Sequence, residues 1–139
     1  MDQPLINQKL ESLRRCVARL ESRSPESVEE LETDLDAQDI LALNLTRAVQ
    51  LCVDIASHWI AEHHELMSPI TMGQSFEVLA ERGVISRELA DDMRKSVGFR
   101  NIVVHNYETV NWEVVFIICH DHLDQFRQFA GVFMDPALR

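Results

Sequence analysis

The run "GFRNIVVHNYETVNWEVV", beginning at Gly98, sets Arg100, His105 and Tyr107 around three β-branched residues. An arginine guanidinium keeps its charge at physiological pH and grips a phosphate through two parallel donors. A histidine takes or gives a proton near neutrality. A phosphate clamp and a proton shuttle are the minimum for cleaving RNA without a metal. In that reaction the ribose 2′-OH attacks the adjacent phosphorus, and the charge that builds in the transition state must be stabilised. Both an acid and a base are wanted, and two copies of His105 would supply them.

In an ideal helix Arg100 and His105 stand five positions, or about 140°, apart and do not share a face. Asn101 and His105 are four apart and stack on one face, where Asn101 can orient the imidazole or bind a phosphate oxygen. Two chains related by a two-fold axis would remove the difficulty, each supplying part of one shared cleft. The same residues also admit a plainer reading: a solvated arginine, a histidine capping helix carbonyls, and a tyrosine with its hydroxyl bonded.

The surrounding elements read as helices. Ile6, Leu10, Leu13, Val17 and Leu20 step by four and three along an amphipathic helix. A short second helix is expected after it, with Ser24 as N-cap and Pro25 in its first turn. A long central helix is expected from about Asp36 to Leu66, with Ile40, Leu43, Ala48, Leu51, Ile55, Trp59 and Leu66 on its apolar face. Pro69 breaks it by pushing Ser68 out of helical conformation. A short helix over 74–82 ends at Gly83. Ser86 caps the next helix, which turns Leu89, Met93 and Val97 inward, is weakened at Gly98, and ends near His105. Asn111 caps a last helix from Trp112 to about Ala130. The expectation is an all-α bundle of about five helices, with residues 1–139 as a single domain.

The formal charge of −10 disfavours general nucleic-acid binding, which needs many cationic phosphate contacts. A local basic site remains open to the chain: Arg94, Lys95 and Arg100 are close in sequence, and Arg47 joins them if the long helix lines the cleft. Asp39 and Asp54 are candidates to pair with these bases and orient them. Cys16, Cys52 and Cys119 are odd in number and lack a C-x-x-C spacing, so they read as reduced packing thiols. No apolar run approaches the roughly 20 residues that span a bilayer and no signal-peptide core is evident, so the expectation is a cytoplasmic protein without membrane contact. His58 and Glu62 are four apart, but without H-E-x-x-H no metal site is assigned.

The run "RNIVVHNY" resembles the Arg-x4-His-x-Tyr motif of HepT-type toxins in the HEPN superfamily. The likeness extends upstream through "DILALNLTRAVQLCVDIASHWI" and "SFEVLAERGVISRELADDMRKSVGFRNIVVHNY", covering the chain from about Asp36 through the final helix. The resemblance implies a HEPN-like helical fold and a homodimeric, metal-independent endoribonuclease with no cofactor, its paired motifs lining a cleft between two copies. It implies that Arg100 and His105 are catalytic, that Asn101 is an accessory polar residue, and that the RNA target is tRNA. It also implies a partner, an MntA-type nucleotidyltransferase antitoxin that attaches AMP units from ATP to Tyr107. The added charge and bulk would repel RNA and obstruct the cleft. An alternative stays open: a non-catalytic helical partner or substrate-binding subunit of a nucleotidyltransferase.

Overall fold

The computed structural model describes residues 2–63 and 71–135. The expected end of the central helix near Leu66, its break at Pro69, and His64 lie outside the described residues. Seven α-helices and one 3-10 turn make up the described chain: α1 Gln3–Arg23, α2 Val28–Thr33, α3 Leu35–Ala61, α4 Met72–Glu81, α5 Arg87–His105, the turn Tyr107–Thr109, α6 Trp112–Asp121 and α7 Asp124–Phe133. The all-α expectation holds.

Each long helix begins where a side chain takes over an orphan backbone donor. Asp2 accepts from the Leu5 amide, Asp34 from Ala37, and Ser86 from Leu89. Thr71 and Gln74 form a reciprocal capping box on α4. Asn111 accepts from the amides of Glu113 and Val114 at the start of α6. Gly83, with φ +75°, lets the chain leave α4 in the left-handed region that a side chain would resist.

α1 lies against α3, α4 against α5, and α3 also meets α4 and α5, so α3 is the central helix. The α1 seam is as the spacing predicts, with Ile6, Leu10, Leu13, Val17 and Leu20 all buried. Phe76, Phe126, Phe129 and Phe133 are fully enclosed on the other side, with Phe76 edge-on to Phe129 at 5.7 Å between ring centres. Complete burial of each is worth about 1.5–3 kcal/mol, which explains why the short helix α7 is held in place. Gln38 is buried, and its amide donates to the carbonyls of Leu31 (2.9 Å) and Glu32 (3.2 Å), tying the end of α2 to α3.

Three expectations give way. Ser27, not Ser24, caps α2, since its hydroxyl accepts from the Glu30 amide; Ser24 ends α1, and Pro25 lies in the link between helices. On α3, Leu43 is 57 % exposed, while Ala37, Leu41, Leu45, Cys52 and Ala56 carry the buried contacts with Ala48, Ile55 and Trp59. The helix is apolar on several sides because it has neighbours on several sides. The expected last helix is two helices. The chain turns at His122 (φ −127°, ψ 17°), so that α6 packs on α2 while α7 carries its phenylalanines inward towards α1, α3 and α5.

α3 is also long and apolar enough, by composition, to cross a membrane, with mean hydropathy 1.3 over its most apolar stretch. That stretch is 56 % buried within the bundle, the pattern of a core helix. Gly98 does not interrupt α5, which runs unbroken to His105.

Candidate active site

Because α5 is continuous from Arg87 to His105, the angular relations expected of a helix hold. Arg94, Gly98, Asn101 and His105 follow one another along one face, while Arg100 points about 140° away from His105, towards α3. The structure thus brings Asn101 and His105 onto one exposed stripe and sets Arg100 at its flank.

Arg100 is held by two neutral amides. Its Nη1 donates to Asn101 Oδ1 at 3.1 Å and its Nη2 to Gln50 Oε1 at 3.4 Å. Its Nε is buried with no acceptor among the described residues. Gln50 is itself anchored: its Nε2 donates to Asp54 Oδ1 at 2.9 Å, and the other Asp54 oxygen takes Lys9 Nζ at 3.4 Å. A chain of bonds therefore runs from α1 through α3 to the arginine. The negative charge of Asp54 is spent on Lys9 and reaches Arg100 only through an amide, so the guanidinium keeps its full charge and spare donors for an anion.

His105 ends α5 and is exposed, with no hydrogen bond to its ring among the described residues. The chain then leaves helical conformation at Asn106 (φ −149°, ψ 58°), and the 3-10 turn carries Tyr107 back to α3. There the Tyr107 hydroxyl donates to Asp39 Oδ1 at 2.6 Å. The Trp112 ring meets the phenol edge-on at 5.7 Å. Desolvation, the bond to Asp39 and the charges of Asp39 and Glu108 all push the phenol well above its ordinary titration range. Tyr107 is thus a neutral, tethered hydroxyl.

The other basic candidates separate. Arg94 shares the stripe of Asn101 and His105, but its Nη1 lies 2.9 Å from Glu77 and 3.3 Å from Asp91, so it clasps α4 to α5. Lys95 and Arg47 are exposed and carry no ion pair among the described residues. The charge of Arg47 is felt by the Cys16 thiol, which places it on the α1 side of α3. Asp39 and Asp54 do not pair with any of these four bases: they take Tyr107, and Lys9 with Gln50. Gln50 and Lys9 were not foreseen. The four-residue spacing of Gln50 and Asp54 was a usable signal, since amide and carboxylate at that spacing bond across one helical turn.

No group of three or more His, Cys, Asp and Glu side chains among the described residues is placed to hold a metal. His63 stacks on Trp59 and bonds its carbonyl at 2.8 Å; His120 sits 3.1 Å from both the Ser24 hydroxyl and the Pro25 carbonyl. All three cysteines are free and buried, as expected. Burial raises each thiol, that of Cys119 to about 12.

A family model described as ribonuclease HepT-like matches residues 13–132. The chain belongs to that family. A HepT-like relative from Shewanella oneidensis, named an mRNA nuclease, is 35 % identical over 132 residues, covering 95 % of this chain and 97 % of the relative. Among solved structures, a tri-AMPylated HEPN toxin of Shewanella oneidensis in complex with an MNT antitoxin superposes with TM-score 0.87 at 34 % identity, covering 96 % of this chain and 98 % of that one. A toxin–antitoxin structure with AMP-PNP gives TM-score 0.87 at 32 % identity, with 95 % and 98 % covered. The HepT-like assignment therefore rests on nearly the whole chain and on the motif region together.

Proposed function

We propose that this HepT-like chain is the toxin of a toxin–antitoxin pair, a metal-independent endoribonuclease whose site is shared by two copies. The observation that carries this is the anchoring of Arg100 by neutral acceptors on the same helix as an exposed His105 whose ring has no hydrogen bond among the described residues. Arg100 binds the scissile phosphate and stabilises its transition-state charge. One His105 takes the proton of the attacking 2′-OH, and the His105 of the second copy protonates the departing 5′-oxygen. The products are a 2′,3′-cyclic phosphate and a free 5′-hydroxyl. Asn101 holds the Arg100 guanidinium from the stripe that carries His105.

A homodimer suits this arrangement. Leu43 lies on α3 between the Asp39 and Gln50 contacts, and Ile102 flanks His105; they are 57 % and 45 % exposed. Large apolar side chains beside catalytic ones fit a face that a second copy covers. Of the basic candidates, Lys95 and Arg47 have no ion pair among the described residues and would extend RNA binding beyond the cleft, while Arg94 is tied to its carboxylates. An RNA substrate and an ATP-using partner suit action in the cytoplasm.

Inhibition is by an MntA-type nucleotidyltransferase antitoxin that attaches AMP to Tyr107. The support is the position of the hydroxyl at the end of the catalytic helix, together with the AMP-bearing, antitoxin-bound relative. For substrate, the family resemblance favours tRNA while the Shewanella relative carries the name of an mRNA nuclease; cleavage of purified tRNA and of a transcribed messenger, compared side by side, decides between them. The mechanism is tested in EDTA. The wild-type dimer is expected to cut RNA, and His105→Ala to lose cleavage while keeping its helical circular dichroism. Full activity in a well-folded His105→Ala protein would remove His105 from the reaction.

A further inference from the structure

Tyr107 and Asp39 are 68 positions apart, yet their oxygens lie 2.6 Å from each other, the length of a charge-assisted bond from a hydroxyl to a carboxylate. Asp39 is exposed near the start of α3, and no hydrogen bond or ion pair to a second residue engages it among the described residues. The other groups facing the phenol are the Glu108 charge and the edge of Trp112, and neither bonds the hydroxyl. A phenol is a weak nucleophile while it keeps its proton, and adenylylation requires that proton to leave as the new bond forms. The carboxylate that holds the proton is already in line to take it.

We propose that Asp39 is the general base for nucleotide attachment to Tyr107, so that the toxin itself supplies a catalytic group for its own inactivation. This rests on the modification reading given above. Tyr107 Oη bonds to the α-phosphorus of a nucleoside triphosphate. The bond from that phosphorus to the α–β bridging oxygen breaks, and its electron pair leaves with pyrophosphate. The phenolic proton passes to Asp39 Oδ1 and from there to water. The partner enzyme binds and aligns the triphosphate; the acceptor side of the reaction is assembled before it arrives. The hydrogen bond also fixes the ring so that the hydroxyl does not wander from the attack position. Once the oxygen carries a phosphate it has no proton to give, so Asp39 serves the first AMP only, and any later units must use other hydroxyls.

The test is the rate of AMP addition, followed by intact mass, with the full-length chain, the antitoxin and ATP. Asp39→Asn keeps the shape and can still accept the hydroxyl's hydrogen bond, but it does not take up the proton. It is expected to slow the first addition by about a hundredfold, within the range of general-base effects, while still forming the antitoxin complex on size-exclusion chromatography. Asp39→Glu restores a base and is expected to recover part of that loss. Unchanged or faster addition in Asp39→Asn overturns the proposal, since the carboxylate then only positions the ring. Loss of the complex overturns it too, by making Asp39 a docking residue. A wild-type chain that gains no AMP mass brings down the modification reading itself, a failure distinct from either of these.

Discussion

Arg100 and Tyr107 both reach from the α5 region to α3, and they meet opposite kinds of partner there. Arg100 finds an amide oxygen, that of Gln50, with the carboxylate of Asp54 held one bond further off and paired with Lys9. Tyr107 finds a carboxylate directly. A permanent cation placed against Asp54 would lose much of its pull on a phosphate, whereas a phenol placed against Asp39 gains an acceptor and stays neutral. Helix α5 and the turn that follows it thus offer α3 a charge to be preserved and a proton to be held, and α3 answers each with the right residue type a few turns apart. The two ends of the seam are built for different partners: the Arg100 end for an anion, the Tyr107 end for a reaction at oxygen.

The contrast is broken most severely by exchanging the partner types. Gln50→Glu gives Arg100 a charged acceptor; a charge-assisted bond is worth about 1.5–3 kcal/mol, so RNA cleavage is expected to fall by about ten- to a hundredfold. Gln50→Leu, which removes one long bond to a neutral acceptor, is expected to cost only about fivefold. Kinetics of both variants, with thermal melting to confirm the fold, check the order. If the two variants are equally active, the neutrality of the Arg100 anchor has no role.

At the other end, Tyr107 is the single tyrosine of the chain, so tyrosinate absorbance reports it alone. Its titration is raised in the folded protein above the ordinary value of about 10. The stabilising contribution is therefore fully present below pH ~10 and is lost as the pH climbs through the folded value. An ultraviolet titration of the folded chain is expected to show no tyrosinate where a free tyrosine is half ionised. Asp39→Asn is expected to move the transition down. A normal titration in the wild type would mean that the Asp39 contact does not form in solution.

The smallest effect belongs to neither end. Gly98 lies on the exposed stripe of α5, and a Cβ placed there meets nothing within 4 Å. Gly98→Ala is expected to stabilise the fold by about 0.5–1 kcal/mol through helix propensity and the unfolded chain's lost freedom, read as a rise in melting midpoint. A fall would show that the open space is filled in solution.

Much of this was legible in the sequence, because helix starts and stops are local events. Ser86, Gly83 and Asn111 act where their types predict, and the α1 seam needs only its own spacing. The turn between α6 and α7 was not legible: Cys119, Leu123 and Phe126 keep a regular four-and-three step across it, so periodicity runs on where the chain does not. Leu43 reads as core because nothing in its type distinguishes a buried leucine from one left exposed on a helix that has several neighbours. At the site, the stacking of Asn101 over His105 follows from α5 alone. Gln50 and Asp39, which bond Arg100 and Tyr107, come from α3, and contacts between residues tens of positions apart leave no spacing to read. Asp39 and Asp54 read as carboxylates that orient the basic residues, and the structure gives them Tyr107, Gln50 and Lys9 instead, since charge alone favours Arg over Tyr or Gln.

The buried thiols have a practical consequence. Cys16 and Cys52 sit where α1 meets α3, close enough for a charge on Cys16 to oppose ionisation of Cys52, and burial holds both as protonated groups. An alkylating reagent needs a thiolate within reach, so it can act only in the moments when α1 swings away from the centre of the bundle. The rate of Cys52 alkylation is then a clock that counts the openings of this helix pair, kept by a residue with no part in cutting RNA or accepting AMP.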